Sequence, residues 1–105
     1  EEEWAVCAAR ELEEETGYRP GTLEGLTRIY TTPGFSDEVI RLYVASGLST
    51  GETRLDDDEF MEVVRMPFSR AVDMVRTGKI VDCKSVAAIL YARCFVLPRE
   101  AVGDD

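Results

Sequence analysis

Arg10-Glu11-Leu12-Glu13-Glu14-Glu15-Thr16-Gly17-Tyr18 places four carboxylates within nine residues and closes on a glycine. Toward the N-terminus, Trp4, Ala5, Ala8, Ala9 and Leu12 recur at helical spacing, and charged residues fill the positions between them. This predicts an amphipathic helix over residues 4–16. Gly17 is a natural stop, because the residue just past a helix often turns left-handed, which costs glycine little. On such a helix Glu11, Glu14 and Glu15 are related by i,i+3 and i,i+4 steps, so their carboxylates share one face within reach of a common point. Like charges at that spacing repel by roughly 0.2–0.5 kcal/mol per exposed pair and oppose the helix until a cation arrives. Oxygen-only donors suit Mg²⁺ or Mn²⁺, which take few protein carboxylates and complete their shells with water and substrate phosphate. Spacing alone leaves a second reading open, that of a solvated acidic face.

Beyond Gly17 the pattern changes. Pro20-Gly21 marks a turn, Leu23–Thr31 is consistent with an irregular strand, and Thr32–Asp37 is a loop. Val39–Ala45 alternates and is rich in β-branched and aromatic residues, a clear strand signal. Gly47–Asp58 is a polar connection, and Phe60–Met66 reads as a further strand ended by Pro67. Ser69 can cap a helix carrying Ala71, Val72, Met74 and Val75 that ends at Gly78, and Asp82 can cap a last helix carrying Val86, Ile89, Leu90 and Tyr91. The order is helix, strands, helix, helix, an α+β pattern. With so few strands to cover, the chain is expected to be a fragment of a longer protein or to be completed by another copy.

The 105 residues carry 12 Lys and Arg against 21 Asp and Glu, a net charge of −9, and no His. That charge repels phosphate backbones, so nucleic acid is not an expected partner. Without His, neither a Ser-His-Asp nor a Cys-His nucleophilic system can be assembled, and acid, base and ligand roles fall to other side chains. No apolar run approaches the roughly 20 residues of a membrane span, and the opening Glu1-Glu2-Glu3-Trp4 lacks the basic start of a secretory signal. Cys7, Cys83 and Cys94 are odd in number, widely spaced and in apolar surroundings, as expected of buried or half-buried free thiols in a reducing cytoplasm.

The acidic stretch does more than cluster charge. Glu2, the seven residues Glu3–Ala9, and then Arg10, Glu11, Leu12, Glu14, Glu15, Gly17 and Tyr18 resemble the signature of the Nudix hydrolases: a Glu, seven residues, then Arg-Glu-(aliphatic)-x-Glu-Glu-x-Gly-(apolar). Eight defined positions fit at fixed spacing. The family's box opens with a Gly six residues before its leading Glu, ahead of residue 1 here. The resemblance therefore implies that residues 1–105 are a single Nudix hydrolase domain represented by its C-terminal two-thirds, an α/β/α sandwich with a mixed sheet whose N-terminal strands are absent from this chain.

The resemblance further implies hydrolysis of a nucleoside diphosphate linked to another moiety, with water attacking phosphorus and Mg²⁺ or Mn²⁺ as cofactor. Glu11 and Glu15 are the expected main metal ligands, Glu14 shares metals or binds through water, and Arg10 is expected to hold a box Glu by a salt bridge. Thr32-Pro33-Gly34-Phe35-Ser36-Asp37-Glu38 looks like the Pro-Gly loop of ADP-ribose pyrophosphatases, which makes Pro33 and Gly34 candidate substrate contacts. Read without the resemblance, it is a turn between strands. Leu55–Val63 resembles that group's acidic loop ahead of a strand, and Asp57 and Glu59 match its catalytic carboxylate and further metal contact; either can be the base. Gly78–Ser85 resembles the segment joining the group's last two helices and reads as structural, with Lys79 and Lys84 at the surface. The expected catalytic residues are thus Glu15, Asp57, Glu59 and Arg10, acting on ADP-ribose to give AMP and ribose 5-phosphate in a cytoplasmic homodimer. Another nucleoside diphosphate sugar, a dinucleotide, or metal or nucleotide binding without turnover are the alternatives.

Overall fold

The computed structural model describes residues 3–51 and 62–97. The chain divides into two compact units, Glu1–Gly25 with Tyr43–Val64 and Leu26–Leu42 with Arg65–Asp105.

The first unit opens with helix α1, Trp4–Thr16, on the bounds its periodicity predicts. Its C-terminus is closed three times over. Gly17 is left-handed at φ 81° and its amide donates to Glu13 O at 2.8 Å. Thr16 Oγ1 donates to Leu12 O at 2.6 Å, and the same hydroxyl accepts from Tyr18 N at 3.2 Å. These bonds satisfy carbonyls that the end of a helix would otherwise leave orphaned, and they turn the chain directly into strand β1, Tyr18–Arg19. Strands β2, Thr22–Tyr30, and β3, Val39–Ser46, follow, and then β4, Ser49–Thr50. β1 pairs antiparallel with β4, Tyr18 opposite Thr50 and Arg19 opposite Ser49, while β2 and β3 pair with each other. This α+β order follows the expected one, with the short β1–β4 pair added within stretches read as a turn and a polar connection.

In the second unit, residues 31–38 join β2 to β3 through a compact turn. The amides of Phe35 and Ser36 both donate to Thr32 O at 3.0 Å, Ser36 Oγ accepts from Glu38 N, and Thr31 Oγ1 donates to Glu38 Oε1 at 2.8 Å. Helices α2, Phe68–Arg76, and α3, Cys83–Phe95, pack against one another. Their connection is held by Lys79 N and Ile80 N, both donating to Met74 O. Asp82 caps α3 as expected, accepting from Ser85 N at 2.9 Å. That bond, with a further one from the Ser85 side chain as the larger cause, holds the Asp82 carboxyl below its ordinary 3.8.

Three expectations are corrected. No strand forms among the described residues Glu62–Met66, and Phe60 and Met61 lie outside the described residues. Val63 and Val64 have strong β propensity but are exposed, and propensity without a pairing partner does not make a strand. Ser69 does not cap α2. The helix starts at Phe68, two residues earlier than a Ser69 cap would put it, with Pro67 at the cap position and no side-chain cap bond; proline's φ of −58° suits a helix entry, and it has no N–H of its own to satisfy. Cys83 and Cys94 are exposed rather than covered, since they sit at the two ends of α3; only Cys7 is half-buried, and all three are free thiols.

Leu42 and Ala92 are the buried apolar residues among those described, both in the second unit. Trp4, Val6, Phe35, Val81 and Phe95 remain exposed. No helix among the described residues is long and apolar enough to cross a membrane.

Candidate active site

α1 carries the expected site residues on distinct faces. At about 100° per residue, Glu11 and Glu15 stand nearly above one another one turn apart, Glu14 lies beside them, and Glu13 is some 200° from both Glu11 and Glu15, across the helix.

Arg10 does what the resemblance implies. Its Nη1 donates to both oxygens of Glu14, at 3.1 and 3.2 Å, and its Nη2 donates to Cys7 Sγ at 3.6 Å. The pair is solvent-facing, with side-chain exposures of 44% and 36%, and an i,i+4 surface pair of this kind contributes only about 0.3–0.5 kcal/mol. Arg10 therefore orients Glu14 at small energetic cost to its release. Glu11 and Glu15 make no hydrogen bond or ion pair with any described residue. The helix thus neutralises Glu14 with its own cation and leaves two formal negative charges uncompensated one turn apart.

Among the described residues, no three acidic, Cys or His side chains are arranged to hold a metal ion together. The shared face of Glu11, Glu14 and Glu15 exists, whereas their convergence on one point does not. The reason is electrostatic: both oxygens of Glu14 are engaged by Arg10, and like-charged carboxylates gain nothing by approaching without a cation between them. The donor set itself fits a hard divalent cation, being all oxygen, anionic and on one helical face.

Pro33 and Gly34 form the turn between β2 and β3, with Gly34 at φ 93°. Gly17 ends α1 as described above. Glu2, Asp57 and Glu59, together with Asp56 and Asp58, lie outside the described residues.

One residue was missed by motif reading. Glu13 occupies the unassigned position of the acidic run, yet its Oε2 accepts from Arg19 Nε at 2.9 Å and its side chain lies against Gly51. The available signal was its opposite charge to Arg19 across the Gly17 stop.

Comparison with known proteins agrees with the motif. The NUDIX domain model matches residues 1–86, and the chain belongs to the Nudix family. It is 46% identical over 88 residues to the methanol dehydrogenase activator of Bacillus methanolicus, covering 82% of this chain and 48% of that protein. It is 42% identical over 92 residues to the ADP-ribose pyrophosphatase of Bacillus subtilis, covering 86% and 50%. The GDP-mannose pyrophosphatase of Salmonella typhimurium is 37% identical over 89 residues, covering 82% and 47%. The chain spans about half the length of the curated relatives it matches. A crystal structure of an ADP compounds hydrolase aligns with a TM-score of 0.81 at 24% sequence identity, over 90% of this chain and 51% of that one, which shows the fold.

Proposed function

We propose that the protein carrying this chain hydrolyses the pyrophosphate bond of a nucleoside diphosphate sugar with Mg²⁺ or Mn²⁺, and that its substrate is ADP-ribose, cleaved to AMP and ribose 5-phosphate. The observation that carries this reading is the division of labour on α1, where Arg10 engages Glu14 while Glu11 and Glu15 have no cationic partner among the described residues. Identity to an ADP-ribose pyrophosphatase and the Pro33-Gly34 turn supply the substrate class.

A bound divalent cation supplies neutralisation of the pyrophosphate and a lowered pKa for the attacking water. The chain's own part is to present that cation and a base. Glu11 and Glu15 are the principal ligands, Glu14 shares the cation or reaches it through water, and Arg10 keeps Glu14 oriented in the meantime. Glu59 adds a ligand and either Asp57 or Glu59 accepts the proton of the attacking water, because a carboxylate is the base available to a chain without His. Pro33 and Gly34 contact the substrate.

We further infer that residues 1–105 form part of one Nudix domain, its C-terminal two-thirds, and that the enzyme acts as a cytoplasmic homodimer without nucleic-acid or membrane partners. The small number of buried apolar residues among those described and the half-length coverage of the relatives support the first inference. The net charge of −9 supports the exclusion of nucleic acid.

A second reading is favoured by a specific observation, the 37% identity to a GDP-mannose pyrophosphatase: the same cation chemistry with GDP-mannose as substrate. Release of nucleoside monophosphate from ADP-ribose and from GDP-mannose, each with Mg²⁺ and with EDTA, separates them. Preference for ADP-ribose supports the first reading, preference for GDP-mannose replaces it with the second, and absence of metal-dependent release from either leaves binding without turnover.

A further inference from the structure

Three interactions meet at the last turn of α1. Gly51 N donates to Gly17 O at 2.6 Å, the β1–β4 pair places Tyr18 opposite Thr50 and Arg19 opposite Ser49, and Arg19 Nε donates to Glu13 Oε2 at 2.9 Å. Between them lies the Glu13 side chain, about one-quarter exposed at 27%. A Cβ placed on Gly51 would come to 2.6 Å from Glu13 Oε2 and 2.8 Å from its Cδ and Cγ, far inside contact distance. The absence of a side chain at Gly51 is what lets the Glu13 carboxylate lie where Arg19 can hold it.

We propose that Glu13 is a positioning residue: wedged over Gly51 and held by Arg19, it fixes the rotation of the last turn of α1, and so the direction in which Glu11 and Glu15 face on the opposite side. The proposal rests on the reading that these two carboxylates bind a divalent cation. Its physical basis is helical geometry. A carboxylate some 200° around from the ligands cannot share their cation, but a rigid helix turned by its anchor turns its far face with it.

The test is an electron paramagnetic resonance titration with Mn²⁺ on the protein carrying this chain, in wild-type form and as Gly51→Ala, Glu13→Ala/Gly51→Ala and Arg19→Ala, each checked for folding by circular dichroism. Gly51→Ala forces the Glu13 carboxylate aside and should weaken Mn²⁺ binding roughly tenfold, the low end of what lost supporting contacts cost metal sites. The double variant has room for the new methyl group but still lacks the anchor, so its affinity should stay as weak as that of Gly51→Ala and fall no further, since the two changes act through one contact. Arg19→Ala separates anchoring from simple charge: removing a cation near an acidic helix tightens Mn²⁺ by field effect alone, whereas losing the anchor weakens it.

Weaker binding in Arg19→Ala supports the proposal and tighter binding overturns it, and this arm decides the matter if Gly51→Ala does not fold. A folded Gly51→Ala with unchanged Mn²⁺ affinity overturns it too, as does a double variant that binds Mn²⁺ as tightly as wild type without Glu13. If wild type binds no Mn²⁺, or Glu15→Gln binds it equally well, the cation reading itself has failed, a result distinct from any of those.

Discussion

The two sides of α1 are built on opposite principles. The side bearing Glu13 is tied down: its carboxylate is held by Arg19 and pressed on Gly51, and the adjoining turn is closed by Thr16 and Gly17. The side bearing Glu11 and Glu15 is left untied among the described residues, while Arg10 engages their neighbour Glu14. A helix of thirteen residues with no buried side chain has little packing to spend on like-charge repulsion, and the cation proposed above would relieve it on the untied side. A purely solvated acidic helix would be expected to spread its one arginine's benefit without such a division, and would have no reason to anchor one edge so closely.

The contrast can be broken most severely on the untied side. Glu15→Gln removes a ligand charge and at the same time relieves helix repulsion, so kcat should fall by about a hundredfold or more while the circular dichroism spectrum is preserved. Retained turnover would remove Glu15 from the site. Adding EDTA to wild type should abolish turnover to the same extent, with activity restored by excess Mg²⁺.

A second large effect distinguishes the two candidate bases. Whichever of Asp57→Asn and Glu59→Gln carries the base should lower kcat by roughly 10²–10⁴-fold and remove the acidic limb of the pH–rate profile, with the other producing a milder loss. Equal, mild losses in both would show that the base lies elsewhere. Arg10→Ala sharpens the comparison from the intermediate position. It frees Glu14, so metal-dependent activity should change by no more than about tenfold, and stability by about 0.3–0.5 kcal/mol, the value of an exposed i,i+4 pair.

The smallest effect is expected at the cap of α3. Asp82 has a depressed pKa, so its contribution to stability is fully present above the ordinary carboxylate value of 3.8 and is lost as pH falls through the lowered folded value. Asp82→Ala should therefore melt a few degrees below wild type at pH 7, with the gap closing in strongly acidic buffer. A gap that persists unchanged into acid would show that the carboxylate charge is not what stabilises the cap.

What could be read in advance follows the range of the interactions involved. The bounds of α1, the left-handed Gly17 and the Asp82 cap were legible because each is decided by residues within a turn of one another. β1 and β4 were not, because strands of two residues show no periodicity and exist only through each other. Val63 and Val64 misled for the converse reason, offering propensity with no partner strand. Ser69 misled because a cap-type residue was read without the proline two positions before it. At the site, the positions of Glu11, Glu14 and Glu15 on one face followed from spacing, and the Arg10–Glu14 pair from the family resemblance. The role of Glu13 depended on Gly51, which is distant in the chain and carries no side chain to announce the contact.

A Mn²⁺ titration of wild type beside Glu11→Gln/Glu15→Gln decides whether the untied face of α1 holds a divalent cation. Saturable Mn²⁺ binding is expected in wild type, competed by Mg²⁺, with a loss of at least about a hundredfold in affinity in the folded double variant. Equal affinity in the two proteins would show that this face holds no cation, and would place any metal the protein uses somewhere other than on this helix.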